Sequence, residues 1–415
     1  MFENLLGQDE VISALKADIG GGRLPPAILL SGPPGSGKAT AAFELARVLS
    51  CALGRGAWNC GCPACTRHRL LVHPDLLLLG PRNFPEEVTA GLEMLERAPG
   101  PASAYFFVRA ARKLARRFDA ALYAGEETRL AKAAPLLREL EECLDAVAPE
   151  KARAADKDGP GSLAPGAAAA AAKSAAAAAK LEAFVPDAPP VFMIRNVELW
   201  ARLAPMGPRK VAIVESADRM LESSRNALLK ILEEPPETVR FVLTSSRRRA
   251  MMTTILSRAR TYHFAPRDAS ATALVVERVF RSSEPAPSVE SFLAARRPFP
   301  PAKARELAEA FLTAALARGG ADALADILEA TKDFGQKDPS LASSFRAFLA
   351  ALSSRLGDLL REGGAGASGI DAPGVALIER IAALVREASG DYENLNRSPG
   401  LLAESLMYAI GEASR

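Results

Sequence analysis

The sequence lacks any apolar run long enough to cross a bilayer. Its longest runs, such as Leu76 to Leu79 and Val211 to Val214, have the length of strands. The N-terminus, MFENLLGQDE, has neither a basic start nor an apolar stretch, so it does not predict a secretory signal. The net charge of +3 is too small to indicate nucleic acid or membrane binding by itself. These absences predict a cytoplasmic protein without a membrane segment, and 415 residues allow two or three domains.

Cysteine is scarce, yet four of the five cysteines lie in one short segment. They are Cys51, Cys60, Cys62 and Cys65, within CALGRGAWNCGCPAC. In a reducing compartment such a cluster is more often a metal site than a pair of disulfides. The segment therefore predicts a metal-binding loop.

Helical patterns and short buried strands alternate in the first eighty residues and again between Val191 and Pro266. The predicted strands are Ala27 to Leu30, Asp75 to Leu79, Lys210 to Val214, Phe241 to Thr244 and Ile255 to Phe264. Helical patterns alternate with these strands, at Glu10 to Ile19, Ala41 to Leu49 and Glu222 to Leu232. Beyond Pro266 the patterns are helical, with Pro- and Gly-rich joints at 285–287, 298–301 and 363–369. The predicted fold class is α/β, a nucleotide-binding type of domain followed by an all-helical half.

An apparent insertion, residues 85–190, separates the two α/β segments. Its first predicted helix, Phe106 to Leu122, is amphipathic and carries five basic residues on one side: Arg109, Arg112, Lys113, Arg116 and Arg117. We expect this to be a solvated face, with contact to a DNA backbone as the alternative. A second helix is predicted at Pro135 to Val147. Gly159 to Lys180 is alanine-rich with almost nothing to bury, which predicts a loose linker with fluctuating helix.

The stretch GPPGSGKAT, from Gly32 to Thr40, follows the first predicted strand and opens a helix. Glycines at 32, 35 and 37 would let backbone N–H groups point at phosphate oxygens, and Lys38 would reach the outer phosphates. The pattern requires a hydroxyl after the lysine to bind Mg²⁺, and Ala39 has none. Thr40 lies about 100° further around the helix and is a poor substitute.

The second strand of such a domain ends in an acid pair that holds Mg²⁺ and orients the attacking water. In KVAIVESADRM, from Lys210 to Met220, Glu215 stands where the Asp belongs and Ser216 where the Glu belongs. Losing a general base costs about 10²–10⁴ in rate. With Ala39, these replacements predict that the hydrolytic machinery is disabled.

Taken together, these segments resemble bacterial clamp-loader subunits of the AAA+ class. The resemblance is carried by FENLLGQDEVISALK, ILLSGPPGSGK, the cysteine cluster, HPDLLLL, KVAIVESADRM, SSRNALLKILEEPPETVRFVLTSS and ILSRARTYHF. They cover most of residues 2–80 and 191–264, and NLNRSPGLLAESLMYAI resembles the closing helix of the family. The resemblance implies a phosphate-loop fold within a hetero-oligomer that serves DNA polymerase III.

The resemblance also assigns expected roles to single residues. Ser257 and Arg258 align with a Ser-Arg-Cys motif, whose Cys is replaced by Ala259. That arginine would act in trans as an arginine finger at a neighbour's ATP site. Ser245 or Ser246 stands at the family's phosphate-sensing position. The lid sensor is not recognisable in AARRPFPPAKARELAEAF, which also argues against an active motor.

The cysteines resemble the zinc module of the family, although their spacing is one residue shorter between Cys60 and Cys62. Four thiolates can hold Zn²⁺ tetrahedrally at about 2.3 Å each, which leaves no position for a catalytic water. We therefore expect a structural zinc. His68 is an alternative ligand, but a surface histidine is the preferred interpretation.

The resulting domain prediction has five parts: 1–84, the first part of the AAA+ domain with the zinc module at 51–65; 85–190, a helical and alanine-rich insertion; 191–266, the second part of the AAA+ domain; 267–310, a helical lid; and 311–415, a C-terminal helical collar.

The predicted function is that of a clamp-loader subunit without ATPase activity of its own. It would assist loading of the sliding clamp on primed DNA, bind gamma/tau motor subunits and a delta subunit, and supply Arg258 in trans. The losses at Ala39, Glu215 and Ser216 argue against Mg²⁺-ATP in its own loop. One alternative is a gamma/tau-like ATPase motor in which Glu215 replaces the Asp. A second is a zinc-bearing DNA-binding scaffold that uses the basic helix of the insertion.

Overall fold

The computed structural model describes residues 1–54, 56–81, 84–151, 165–297, 299–316, 339–362, 374–395 and 397–414. The predicted joint at 363–369, residue 298 of another joint, and residues 159–164 of the alanine-rich segment lie outside the described residues. Within the described ranges, no helix is long and apolar enough to cross a membrane.

A five-stranded parallel sheet forms the centre of the first 293 residues. The strands are β1 (Ala27–Ser31), β2 (Leu76–Leu79), β3 (Lys210–Val214), β4 (Val239–Ser245) and β5 (Arg260–His263). Their order is β2-β3-β4-β1-β5, and every neighbouring pair is parallel. Every residue of β1, β2 and β3 is buried, because helices cover both faces of the sheet. The carboxyl ends of all five strands therefore meet at one edge, where ligands bind in open α/β sheets.

The helices of the described ranges are α1 Asp9–Gly20, α2 Lys38–Leu49, α3 Pro63–Arg69, α4 Phe84–Arg97, α5 Pro101–Ala115, α6 Glu127–Ala146, α7 Pro165–Glu182, α8 Val191–Arg202, α9 Glu222–Glu233, α10 Thr253–Leu256, α11 Ala269–Phe280, α12 Val289–Ala294, α13 Pro301–Leu316, α14 Pro339–Glu362, α15 Val375–Leu395 and α16 Pro399–Ala413. Two short 3-10 helices, Arg116–Phe118 and Ala120–Tyr123, come directly after α5.

Alternate residues of β1 to β4 point into two separate hydrophobic cores. Ile28 and Leu30 of β1 face the core that contains α1 and α2. Ala27 and Leu29 face a larger core to which α4 to α9 contribute. The strand periodicity of two thus produces a helix–sheet–helix sandwich. The predicted α/β class is confirmed, and the structure adds that the sheet is parallel.

The alanine-rich segment is a helix packed in the larger core, and the prediction of a loose linker is wrong for its described part. In α7, Ala171, Ser174, Ala178 and Leu181 are fully or almost fully buried, on one face of the helix. This face contacts α4, α5 and α6. Small side chains bury little area each, but they allow the helix axes to approach closely, so the many contacts together hold the helix in place.

The chain divides into two compact units, Met1–Leu293 and Ala294–Arg415. The described part of the second unit is helical, with α13 to α16 around a core that includes Phe311, Phe345 and Phe348. The predicted lid at 267–310 and collar at 311–415 stay predictions.

Candidate phosphate-loop and metal sites

The phosphate-loop sequence lies between β1 and α2, at the carboxyl edge of the sheet. Gly35 and Gly37 have φ angles of +72° and +101°, which disfavour any side chain. A Cβ added to Gly32 would lie 2.4 Å from the carbonyl oxygen of Phe264. Each predicted glycine is therefore required by the local backbone. Gly37 is the N-cap of α2, so the positive end of that helix faces the loop.

The side chain of Lys38 is turned back onto its own loop. Its Nζ donates hydrogen bonds to the carbonyl oxygens of Gly32, at 2.7 Å, and Pro33, at 2.6 Å. Burial is the main reason why the pKa of Lys38 is lowered from 10.5 to about 8, while Asp218 favours its charged form. The amine thus satisfies carbonyls at the place where a phosphate would be expected.

Residues from later in the chain contact the loop from outside. Arg267 donates to the carbonyl oxygen of Gly35 and, at 3.1 Å, to that of Leu6. A Cβ on Gly35 would lie 3.1 Å from the backbone nitrogen of Glu290, at the start of α12. Sequence analysis missed Arg267, because only the fold brings it to the loop.

The residues next to the lysine offer little to a metal ion. Ala39 packs against the core that contains α1 and α2, and Thr40 is half-buried. The methyl group of Ala39 stands where the loop pattern requires a hydroxyl, so this side of the site lacks a metal ligand.

Glu215, the predicted acid position, directly follows β3 and is buried. Its carboxylate accepts a hydrogen bond from the guanidinium of Arg117, which is also buried. The Arg117 guanidinium carbon lies 5.3 Å from the centre of the Phe84 ring. The acid position is therefore occupied by a cation from the chain itself.

Neighbouring polar groups at this edge are also engaged. Ser216 has a φ of +51°, and its N–H donates to Oγ1 of Thr244 at 3.1 Å. The buried Asp218 pairs with Nε of Arg247 at 3.1 Å. Ser245, at the predicted phosphate-sensing position, is buried, and its Oγ accepts from the N–H of Arg247 at 3.1 Å.

The predicted basic face of α5 is not solvated, so that expectation is wrong. Arg109 donates to the carbonyl oxygens of His68 and Arg69 at 3.2 and 2.6 Å. Lys113 pairs with Glu87 at 2.8 Å, and Arg112 pairs with Glu141 at 3.1 Å. These side chains fasten α5 to the rest of the unit, which leaves their charges poorly placed for a DNA backbone.

Arg258, the predicted arginine finger, lies two residues before β5. Its guanidinium donates to Glu233 at 2.9 Å and to the carbonyl oxygen of Thr254 at 3.0 Å, and 34% of its side chain is exposed. The phosphate loop instead follows the end of β1, which runs parallel to β5 with Ile28 opposite Arg260. At roughly 3.3 Å per residue, the two sites lie at opposite ends of the strands, more than about 10 Å apart.

The four clustered cysteines come together as a set of potential ligands. All four are buried, and their sulfur atoms lie within 4.8 Å of one another. The Sγ atoms of Cys51 and Cys60 are 3.7 Å apart. Tetrahedral zinc with Zn–S bonds of about 2.3 Å requires sulfurs separated by about 3.8 Å, so the cluster fits Zn²⁺ despite its shortened spacing.

The thiols of the cluster differ in how readily they lose a proton. Burial acts to raise the pKa of Cys62, but N–H donors of Cys65 and Ala52 outweigh it and lower that pKa to about 6. Burial raises the pKa of Cys65. Thiolates are the metal-binding form, so a bound cation would draw the cluster toward deprotonation.

Arg47 anchors the cysteine loop to α2. It pairs with Glu44 at 2.8 Å, and both side chains are almost completely buried. It also donates to the carbonyl oxygens of Gly56, at 3.0 Å, and Ala57, at 2.7 Å, and its Nη1 lies 3.7 Å from Sγ of Cys65. Sequence analysis did not identify Arg47, which continues the helical pattern of α2.

His68 is not a surface residue, contrary to expectation. It is buried, and its ring stacks on that of His73 with centroids 4.1 Å apart. Burial, assisted by His73, lowers the pKa of His68 to about 2, so the imidazole is neutral. Among the described residues, the potential metal ligand group consists of the four cysteines and does not include His68.

Comparison with known proteins relates the chain to subunits of DNA polymerase III. A family model described as "DNA polymerase III, delta subunit" matches residues 7–119 and 192–268. The gap in this match falls almost wholly within the predicted insertion. DNA polymerase III subunit gamma/tau of Mycobacterium tuberculosis strain H37Rv is 43% identical over 65 residues, which are 15% of this chain and 11% of that protein.

Two further proteins are similar. DNA polymerase III subunit delta' of Haemophilus influenzae is 34% identical over 76 residues, 18% of this chain and 23% of that protein. The matches therefore span less than a quarter of the length of these curated relatives. A crystal structure of a DNA polymerase III gamma subunit-related protein from Thermotoga maritima is 18% identical, with a TM-score of 0.27, over 58% of this chain and 90% of that chain.

Proposed function

Because the chain is a member of the DNA polymerase III clamp-loader family, we propose that it is a delta-prime-like subunit that does not hydrolyse ATP. In this role it assists ATP-driven loading of the sliding clamp on primed DNA. It binds gamma/tau motor subunits and a delta subunit, and Arg258 acts in trans at a motor neighbour's ATP site.

The observation that carries this proposal is the ion pair between Arg117 and Glu215. Phosphoryl transfer in this class of site needs a carboxylate to hold Mg²⁺, and here that carboxylate holds a guanidinium. Ala39 also removes the metal-binding hydroxyl. Two requirements of hydrolysis are thus unmet at once.

The position of Arg258 supports action in trans. It lies at the opposite end of the strands from the chain's own phosphate loop, so it cannot serve that loop without a large movement. Its ion pair with Glu233 is partly exposed, and such pairs contribute only about 0–1 kcal/mol, so the guanidinium can be redirected at little cost.

The cysteine cluster is proposed to hold one structural zinc ion. Cys51, Cys60, Cys62 and Cys65 would be its ligands, and the closed set leaves no position for a substrate or water. The metal would fix the loop between α2 and α3 beside Arg47.

A gamma/tau-like motor is the second candidate, favoured by the 43% identity to that subunit over 65 residues. Two assays separate the candidates: ATP turnover by the isolated chain, and turnover by the complex assembled with motor and delta subunits, clamp and primed DNA. Turnover by the isolated chain that Lys38→Ala abolishes would establish the motor and overturn our proposal.

Within the assembled complex, Arg258→Ala tests the arginine finger. Removing such a finger lowers turnover at its own site by about 10³–10⁵-fold, so the complex should lose that site's share of its ATPase activity. Arg248→Ala is the control and should leave turnover unchanged, because Arg248 is an exposed arginine in the short turn Arg248–Ala250 that follows β4. Equal activity of the Arg258→Ala and wild-type complexes would refute the role in trans.

A further inference from the structure

The pair between Arg117 and Glu215 indicates more than a lost hydrolytic site. We propose that the guanidinium of Arg117 replaces a divalent cation at Glu215, as a built-in counter-ion that keeps metal out of this edge of the sheet. The proposal concerns the chain alone and holds whether or not the protein serves a clamp loader.

Burial makes a counter-ion necessary at this position. The side chains of Arg117 and Glu215 are 3% and 6% exposed. Removing an ionised carboxylate from water costs several kcal/mol unless a cation and hydrogen bonds replace the solvent. A bound metal or a guanidinium can each meet that need, and here the chain supplies the guanidinium.

The turn that carries Arg117 is fixed to the sheet. Arg116, its neighbour, donates to the carbonyl oxygens of His73, at 3.3 Å, and Leu76, at 2.5 Å, where β2 begins. The buried ring of Phe118 stacks on Tyr123 with centroids 6.2 Å apart. Arg117 therefore lies on a backbone segment that is held in place beside Glu215.

The carboxylate side is fixed as well. The N–H of Glu215 donates to the carbonyl oxygen of Leu79 at 2.9 Å. Gly80, at a φ of +101°, lies so close that an added Cβ would be 2.2 Å from the carbonyl oxygen of Glu215. Both members of the pair thus sit on backbone that has little freedom to separate them.

With Arg117 in place, the described residues around Glu215 offer a divalent cation few oxygen ligands. Mg²⁺ takes an octahedral set of oxygens, partly from protein carboxylates and hydroxyls. Ala39 offers none, and Oδ2 of Asp218 pairs with Arg247 at 3.1 Å, whereas the buried Oδ1 of Asp218 has no hydrogen-bond partner among the described residues. With the guanidinium of Arg117 against Glu215, the site does not fit the divalent cation that the phosphate-loop fold implies. Without Arg117, Glu215 and water would supply the oxygens, because Mg²⁺ keeps several waters in protein sites.

The simpler alternative is that the pair is an ordinary buried ion pair and the site has no affinity for metal in any form. The two interpretations make different predictions for a protein without Arg117. If Arg117 takes the place of a metal ion, its removal leaves a position that Mg²⁺ or Mn²⁺ can fill. If the pair is an ordinary ion pair, removal of Arg117 destabilises the protein, and added metal does not change its stability.

The experiment measures Mn²⁺ binding by electron paramagnetic resonance and thermal unfolding with and without millimolar Mg²⁺, on the full chain. The cysteine cluster is kept zinc-loaded so that added Mn²⁺ stays off the thiolates. The wild-type protein should bind no Mn²⁺ at this site and show no change in Tm with Mg²⁺. Arg117→Met should unfold at a lower temperature, bind Mn²⁺, and regain several degrees in Mg²⁺.

Two controls assign the effect to the carboxylate. In Arg117→Met/Glu215→Gln no charge is left to bind a cation, so the gain in Mg²⁺ should vanish. Arg219→Met removes an exposed arginine from the turn that follows Glu215 and should show no metal response. If Arg117→Met does not fold, Arg117→Gln, whose amide can donate to Glu215, is measured in the same way.

Mn²⁺ binding by the wild type that Glu215→Gln abolishes would overturn the proposal, because the guanidinium would then not exclude metal. An Arg117 variant that is destabilised but unresponsive to Mg²⁺ and Mn²⁺ would overturn it too, in favour of an ordinary ion pair. Neither result depends on the ATPase assays of the assembled complex, so this inference and the proposed function can fail separately.

Discussion

The packing of the alanine helix α7 allows a quantitative test by adding bulk to its buried face. Ala171 is fully buried, in the core that α7 shares with α4, α5 and α6. In Ala171→Leu the larger side chain has no space of its own, so the neighbouring helices must shift or adopt strained rotamers. Ala172 is the matched control, because it lies next to Ala171 and is exposed.

Overpacking a well-packed core typically costs about 1–3 kcal/mol. For a unit of this size each kcal/mol lowers Tm by about 2–4 °C, so Ala171→Leu should lower it by about 2–12 °C. Ala172→Leu exchanges one good helix former for another at the surface, and its effect should stay within about 0.5 kcal/mol.

Thermal unfolding of the two variants and the wild type, monitored by circular dichroism, measures this difference. Equal Tm values for Ala171→Leu and Ala172→Leu would refute the packed helix and restore the linker interpretation. The result also bears on the phosphate-loop edge, because α7 packs against α5, from which the turn with Arg117 continues.

Three further predictions concern individual side chains. Cys65→Ser should reduce the zinc content of the purified chain, measured by mass spectrometry, from one ion to nearly none. A wild-type protein without metal would contradict the proposed zinc site. Arg47→Met should lower the free energy of unfolding, measured in urea, by about 3–5 kcal/mol, because it leaves the Glu44 carboxylate buried without its cation. The double variant Arg47→Met/Glu44→Leu should recover much of that loss. A loss below about 1 kcal/mol in Arg47→Met would contradict the buried ion pair. The pKa of Lys38, lowered to about 8 in the folded protein, means that the unfolded chain binds more protons between pH 8 and 10.5. Stability should therefore rise with pH across this window more steeply in the wild type than in Lys38→Met, and parallel curves from urea titrations at each pH would count against it.

Local patterns in the sequence predicted the sheet well. Four of the predicted strands match β1 to β4 to within two residues at each end, because each is a short apolar run bounded by turn signals. The fifth was predicted too long: a helix covers Thr253–Leu256, and only Arg260–His263 forms β5. The phosphate loop was recognisable because its glycines are dictated by backbone geometry over a few residues. The cysteine cluster was recognisable from spacing alone, although the fit of its sulfur positions needed the structure.

The predictions that were wrong share one physical cause: each depended on contacts between residues that are distant in sequence. A run of alanines has no visible periodicity, so the buried face of α7 could not be distinguished from its exposed face. The basic residues of α5 resembled a solvated face because their partners are remote in sequence. The partner of Glu215 is 98 residues away, and no local rule connects the two positions.

The Arg117–Glu215 pair also limits how this chain can be shortened. A protein engineer who reads residues 85–190 as an optional module would join the two halves of the α/β region directly. That deletion would remove the cation facing Glu215 and most of the helices that cover one face of the sheet, α4 to α7. Residues 85–190 therefore cannot be deleted from this chain or moved to another protein as an independent unit. It must be expressed, trimmed and redesigned together with the strands on either side of it.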